Sequence, residues 1–168
     1  MSENDYNILV HNNQIWFEGE INFSTVHRLM FEITRQSGKV ELFINSNGGY
    51  VDAGLGFYDF LNINHKKITV IAHSFIGSAA CEWLFSKCRT YVFPSLEIMF
   101  HPMRQYLHER SEALEGILVA SQTKIKLTNE IYASKGFSCD WENKTLFFYA
   151  DEFVRRGIVD GFWTGSQT

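Results

Sequence analysis

Proline and cysteine are scarce in this sequence, and long hydrophobic runs are missing. Its 168 residues include two prolines and three cysteines. The longest apolar runs, such as 68–72, fall far short of the roughly 18 to 20 residues that cross a bilayer. The polar and acidic start of the chain also lacks the basic and apolar regions of a secretory signal. We therefore expect a protein that is neither exported nor embedded in a membrane.

Positive charge in excess and paired metal-binding motifs are also missing. Fifteen Lys and Arg side chains against nineteen Asp and Glu give a formal net charge of −4, which argues against nucleic-acid binding. Cys81, Cys88 and Cys139 are an odd number of cysteines without the paired spacing of metal ligands. We expect reduced thiols, no metal site and a cytoplasmic protein.

The sequence does contain enough apolar residues for one hydrophobic core. Hydrophobic residues make up 45% of the chain and charged residues 20%. The length is typical of one domain, and no internal repeat or linker interrupts it. We expect a single domain over residues 1–168.

Short β-rich runs alternate with segments whose apolar residues recur at helical spacing. Residues 40–44 and 68–72 are predicted strands, and Leu55, Tyr58 and Leu61 mark a helix between them. The alternation continues on both sides, with a strand at 14–17, a helix around 26–33, and strands at 91–93 and 97–100. This order predicts an α/β fold with largely parallel strands.

The segment from about residue 111 to 134 is predicted to be an unusually long helix. Its six or so turns exceed the usual three or four turns of a small domain. Two arrangements are open: the helix projects and meets a partner, or it packs wholly on its own sheet.

Two glycines, Gly48 and Gly49, follow the predicted strand at 40–44. A glycine pair permits a tight turn and leaves backbone N–H groups free to hold an oxyanion. A simple turn without any binding role is the other interpretation.

Ser78 follows the predicted strand at 68–72 and precedes an apolar stretch that is predicted to be helical. A serine at such a junction can present its hydroxyl beside the helix N-terminus, as a nucleophile does. The alternative is that Ser78 only caps the helix.

His101 ends the apolar strand at 97–100. A neutral imidazole at a rigid strand end is suited to act as a general base. The alternative is a structural histidine, and His73, just before the serine segment, is a lesser candidate for the base.

These segments, taken in order, resemble the ClpP family, the proteolytic subunits of Clp proteases. The resemblance extends from about residue 15 to residue 160. It rests on the motifs Phe43-Ile44-Asn45-Ser46-Asn47-Gly48-Gly49, Ala53-Gly54, Tyr58-Asp59, Pro94-Ser95-Leu96-Glu97-Ile98-Met99-Phe100-His101 and Gly157-Ile158-Val159-Asp160.

The resemblance implies roles for four residues. Alignment without a gap from Gly49 puts the family's nucleophile on Ser78 and its base on His101. The oxyanion donors would be the backbone N–H groups of Gly49 and Ala79. A competing alignment makes Cys81 the nucleophile, but it needs an insertion of three residues into a rigid strand and helix.

The family's third catalytic residue, an acid that orients the histidine, is not assigned. Counting back from the motif at 157–160 reaches Thr145, and Asp140, Glu142 and Asn143 lie nearby in the sequence. Such an acid fixes the tautomer of the histidine, so its absence would slow the reaction by several orders of magnitude.

By this resemblance we expect the repeated β-β-α superhelix of the ClpP/crotonase-like superfamily, with a projecting handle helix. The implied function is a serine endopeptidase that hydrolyses unfolded polypeptides inside stacked heptameric rings. It would work beside an AAA+ unfoldase and need no cofactor. Two alternatives are an inactive structural subunit of a mixed ring and an acyl-CoA enzyme of the crotonase type.

Overall fold

The computed structural model describes residues 6–103 and 114–165. Within these ranges eight strands, four α-helices and one 3₁₀ helix follow one another along the chain. Their bounds are β1 Tyr6–His11, β2 Gln14–Gly19, α1 Phe23–Arg35, β3 Val40–Ser46, α2 Val51–Ile63, β4 Ile68–Gly77, the 3₁₀ helix Ser78–Phe85, β5 Arg89–Val92, β6 Glu97–Phe100, α3 Leu114–Ala133, β7 Leu146–Tyr149, α4 Ala150–Arg155 and β8 Gly161–Phe162.

The described strands form one mixed sheet. Strands β1, β2, β3, β4, β5 and β8 are neighbours in that order, and β6 pairs with β4 and with β7. All pairs are parallel except β1 with β2 and β6 with β7. The predicted α/β class with largely parallel strands is therefore confirmed.

Strand β4 divides its partners between its two halves. Residues 69–72 pair with β5, whereas residues 75–77 pair with β6. Ser74 lies between the halves with a φ of 58°, in the left-handed region that non-glycine residues rarely adopt. The strand changes direction there, and its last residues lead into the candidate site.

Helices cover the sheet through their apolar faces. Asn22 and Thr25 form a capping box at the start of α1, which buries Leu29 and Ile33 against the sheet. The largest buried side chain is Trp83 of the 3₁₀ helix, whose indole N–H donates to the Gly54 carbonyl at 3.0 Å. This bond ties the 3₁₀ helix to α2.

The long predicted helix is present as α3, and residues 111–113 of the prediction lie outside the described residues. The first half of α3 is largely exposed, including Leu118 and Val119, whereas Ile131 and Tyr132 near its end are buried in the core. The helix is therefore anchored at its C-terminal end. None of the helices in the ranges 6–103 and 114–165 is both long enough and apolar enough to cross a membrane.

Candidate active site

Three parallel strands bring the three predicted segments to one edge of the sheet. Ser46 of β3 pairs with Ile76 of β4, and Gly77 of β4 pairs with Met99 of β6. Gly48, Ser78 and His101 each lie one or two residues after these paired positions. Because the strands are parallel, their carboxyl ends lie together, and this edge is where ligands bind in open α/β sheets.

The glycine loop packs directly against the start of the 3₁₀ helix. A Cβ atom added to Gly48 would lie 2.6 Å from both the Gly77 carbonyl oxygen and the Ser78 Cβ, and 3.0 Å from the Ala79 nitrogen. Gly48 also has a φ of 91°. Only glycine fits both the space and the backbone conformation, so the close approach depends on this residue.

Hydrogen bonds hold the glycine loop in place. The Ile21 N–H donates to the Gly48 carbonyl at 2.8 Å, and the Tyr50 N–H donates to the Ile21 carbonyl at 2.8 Å. Among the described residues, no loop or turn carbonyl accepts from the N–H groups of Gly49 and Ala79. The packing of Gly48 beside the Ala79 nitrogen places the two predicted oxyanion donors on neighbouring stretches of backbone.

Ser78 is the first residue of the 3₁₀ helix and has a strained backbone. Its φ is 53°, and its side chain is half-buried. Gly77 precedes it as the N-cap, and no side-chain hydrogen bond caps the helix. The capping alternative for Ser78 is therefore not supported, and the strained strand-to-helix turn is the geometry that exposes a nucleophile.

His101 directly follows β6 and is half-buried. Its Nδ1 lies 2.7 Å from the Pro102 carbonyl oxygen. When Nδ1 carries the proton and donates to this carbonyl, the lone pair of the imidazole is on Nε2. A histidine held in this tautomer can accept a proton through Nε2.

Ser78 and His101 line one small cavity of about 20 Å³. The lining residues fall into two groups by burial. The half-buried ones, which we call the outer wall, are Val51, Ser78, His101 and Met103. The buried ones, which we call the inner wall, are Ala79, Glu82, Phe100, Thr128, Tyr132 and Trp141. The cavity thus leads inward from the predicted nucleophile and base.

Cys81, the alternative nucleophile, is fully buried beside this cavity but does not line it. Its thiol donates to the Met99 carbonyl at 3.3 Å. Burial, with Glu82 and Cys139 adding to it, raises the pKa of the Cys81 thiol well above its ordinary value. A buried and protonated thiol is a poor nucleophile.

The four candidates for the third catalytic residue are exposed. They are Asp140, Glu142, Asn143 and Thr145. Asp140 accepts from the Asn143 amide at 2.6 Å, and Glu142 accepts from the Asn129 amide at 2.6 Å. Among the described residues none of the four forms a hydrogen bond with His101, whose Nδ1 faces the Pro102 carbonyl instead.

His73, the lesser candidate for the base, lies on β4 away from this cavity. Its ring packs against Trp16 and Phe93, and its Nδ1 lies 3.1 Å from the Ser74 hydroxyl. Burial lowers the pKa of His73 below its ordinary value despite the charge of Glu18. The structure therefore does not bring His73 to Ser78.

Sequence reasoning missed Glu82, which lies in the inner wall of the cavity. Its signal was available, because it is the one charged residue in the apolar stretch 79–85. The side chain is 4% exposed, and the Tyr132 hydroxyl donates to Oε1 at 3.4 Å. Burial raises the pKa of Glu82 to about 7, although hydrogen bonding opposes that rise.

Comparison with known proteins identifies the family of this chain. The model of the Clp protease family matches residues 1–162. An ATP-dependent Clp protease proteolytic subunit from Ligilactobacillus salivarius (strain UCC118) is 30% identical over 172 residues, which cover 93% of this chain and 85% of the relative.

The chain therefore belongs to the Clp protease family. It is a Clp-type proteolytic subunit and a serine peptidase, which confirms the predicted resemblance, and the inactive-subunit alternative is not favoured. Membership of this family implies oligomeric rings and partnership with an AAA+ unfoldase.

Proposed function

We propose that Ser78 is the nucleophile of this peptidase and His101 its general base, with the N–H groups of Gly49 and Ala79 as oxyanion donors. The observation that carries the proposal is the strained turn at Ser78, which lines the same cavity as His101. The close packing of Gly48 on this turn supports the two donors, because it brings their backbones together.

The reaction follows from these positions. Nε2 of His101 accepts the proton of the Ser78 hydroxyl while Oγ attacks the carbonyl carbon of a peptide bond. The carbonyl oxygen gains the negative charge and is held by the Gly49 and Ala79 N–H groups. The imidazolium then gives its proton to the leaving amine, and a water molecule hydrolyses the acyl-enzyme by the same route.

The Pro102 carbonyl replaces the family's acid as the partner of His101 Nδ1 in this proposal. Its bond at 2.7 Å fixes the same tautomer that a carboxylate would fix. A neutral carbonyl stabilises the imidazolium less than a carboxylate does. We therefore expect a competent but slow peptidase.

We also propose that residues 1–168 form one domain and that these domains assemble into stacked heptameric rings. The rings enclose the active sites, and the assembly is located in the cytoplasm. The substrates are unfolded polypeptides delivered by the AAA+ unfoldase, and the peptidase needs no cofactor. Exposed apolar side chains on α3 and β7 support burial in such rings. These are Leu118, Val119, Leu127, Phe147 and Tyr149.

A fluorophosphonate probe read by intact mass tests the nucleophile. We expect one label on the wild type, none on Ser78→Ala, and full labelling of Cys81→Ala and of Ser121→Ala, a control on α3. Hydrolysis of short peptides should follow the same order. Labelling of Ser78→Ala, or loss of label in Cys81→Ala alone, would contradict the assignment, and a monomer by light scattering at micromolar concentration would contradict the rings.

A further inference from the structure

The inner wall of the cavity beside Ser78 contains a carboxyl group without a full set of partners. Oε1 of Glu82 accepts from the Tyr132 hydroxyl at 3.4 Å, whereas Oε2 is buried and has no hydrogen-bond partner among the described residues. The Thr128 hydroxyl, also in this wall, lies near the carboxyl group and, like the Tyr132 hydroxyl, lowers its pKa by hydrogen bonding. Both hydroxyls are neutral, so the ionised form of Glu82 has no positively charged partner among the described residues.

No cation of the described residues neutralises Glu82. The salt bridges of residues 6–103 and 114–165 do not include it. The titratable groups around it are the thiols of Cys81 and Cys139 and the phenol of Tyr132, all with a pKa raised by burial, and His101 in the outer wall. A carboxylate here is a binding site for a positive charge brought from outside.

The remaining walls suit a long hydrocarbon chain. Val51, Phe100, Met103 and Trp141 present apolar side chains to the cavity. A long basic side chain can bury its methylene groups against such walls while its charged end meets a carboxylate. A short polar side chain offers the same hydrogen bonds but less reach.

The position of Glu82 relative to Ser78 selects for length. Both residues belong to the 3₁₀ helix, four positions apart, which corresponds to about 8 Å along a helix that rises about 2 Å per residue. The substrate residue whose carbonyl Ser78 attacks has its Cα one bond from the reacting carbon. Its side chain must therefore extend several ångströms to meet Glu82.

We propose that Glu82 is a specificity-determining residue that favours cleavage after lysine or arginine, by pairing with the cationic end of that side chain. This inference rests on the proposed roles of Ser78 and His101. The cavity of about 20 Å³ has room for roughly one water molecule. A lysine or arginine side chain is larger than this cavity, so its binding requires movement of Met103, whose flexible side chain is half-buried at the outer wall.

The protonation of Glu82 makes the preference depend on pH. Burial raises its pKa to about 7, so the carboxyl is mostly neutral at pH 6 and mostly ionised at pH 8. The ionised form pairs with a cation, whereas the neutral form accepts an apolar side chain at lower cost. Selection for lysine over leucine therefore increases from pH 6 to pH 8.

Peptides that differ only in lysine or leucine before the scissile bond test this proposal. We measure kcat/KM for both at pH 6 and pH 8 with the wild type, Glu82→Gln, Glu82→Met and the exposed control Glu130→Gln. The expected lysine-to-leucine ratio falls about tenfold or more in both Glu82 variants and loses its pH dependence there. A wild type that prefers leucine, or a ratio that Glu82→Gln leaves unchanged, overturns the proposal.

Binding in the absence of chemistry separates this proposal from the proposed catalytic roles. In the Ser78→Ala background, calorimetry compares acetylated peptides that end in lysine or leucine, with and without Glu82→Gln. Tighter binding of the lysine peptide, lost with Glu82→Gln, supports the pocket even where no peptide is cleaved. Equal binding of both peptides overturns it, while failure of the fluorophosphonate test would overturn only the role of Ser78.

Discussion

Gly48 and Ser78 approach so closely that a Cβ atom on the glycine would lie 2.6 Å from the Cβ of the serine. The pair joins the loop after β3 to the first turn of the 3₁₀ helix. The predicted oxyanion loop can therefore lie this close to the predicted nucleophile only because Gly48 has no side chain.

Gly48→Ala should unfold more easily than the wild type. The new methyl group meets the Gly77 carbonyl and Ser78 at 2.6 Å, and a φ of 91° is strained for alanine. We expect a loss of about 2 kcal/mol or more in the free energy of unfolding, measured with urea, together with loss of fluorophosphonate labelling.

Gly56→Ala is the matched control for this change. Gly56 lies in α2 with open space around the position of a Cβ atom. Alanine there should stabilise the protein by about 0.5 to 1 kcal/mol. Equal effects of the two substitutions would contradict the packing argument.

His101→Ala should reduce peptide hydrolysis without a comparable loss of stability. Removal of a general base lowers a rate by roughly 10²- to 10⁴-fold. The control is His27→Ala, an exposed histidine of α1, which should cleave at the wild-type rate. Retained hydrolysis in His101→Ala would show that another group accepts the serine proton.

The free energy of unfolding should fall as the pH rises, through Glu82. Its pKa of about 7 in the folded protein exceeds the ordinary 4.5. The folded state therefore holds this proton more tightly, and the resulting stabilisation is complete below about pH 4.5 and is lost as the pH passes 7. At about 1.4 kcal/mol per pKa unit, the loss amounts to about 3 kcal/mol.

Urea unfolding of wild type and Glu82→Gln at pH 5 and pH 8, at one protein concentration, measures this contribution. The difference between the two proteins should change by about 2 to 3 kcal/mol between these pH values, because glutamine does not titrate. A difference that stays constant would mean that Glu82 is not perturbed in the folded state.

Lys135 should stabilise the fold from the end of α3. Its ammonium group donates to the Leu84 carbonyl at 3.0 Å and the Ile158 carbonyl at 2.8 Å, and so connects the 3₁₀ helix to the turn after α4. Lys135→Met removes both donors, and we expect a loss of about 2 to 3 kcal/mol in thermal or urea unfolding. The exposed Lys126→Met should change stability by less than about 0.5 kcal/mol.

Local pattern was sufficient to predict the central strands and helices. Strands β2, β3, β4 and β6 were predicted because buried parallel strands are continuous apolar runs, and α2 because Leu55 and Leu61 recur at helical spacing. Strands β1 and β7 were missed although each contains a short apolar run, 8–10 in β1 and 146–149 in β7. Apolar runs of three or four residues do not distinguish a strand from a short helical or loop segment.

The site was predictable as segments but not as a cavity. Order along the chain and family resemblance indicated Ser78 and His101, and parallel pairing of β4 and β6 brings them to one edge. Glu82 is conspicuous in the sequence as the one charged residue of the apolar stretch 79–85, but its place in the cavity depends on α3, which brings Tyr132 and Thr128 around it. The partner of His101 was missed for a related reason, since a backbone carbonyl has no sequence signature.

Strand β4 pairs with β5 on one side of Ser74 and with β6 on the other, so its two halves have different structural roles. The half that pairs with β5 belongs to the body of the sheet, while the three residues 75–77 connect β6 and β7 to the serine turn. Phe100 of β6 lines the substrate cavity, so a shift of β6 relative to the rest of the sheet would move this wall against Ser78. The hinge for such a shift is short, because β6 meets β4 over only three residues.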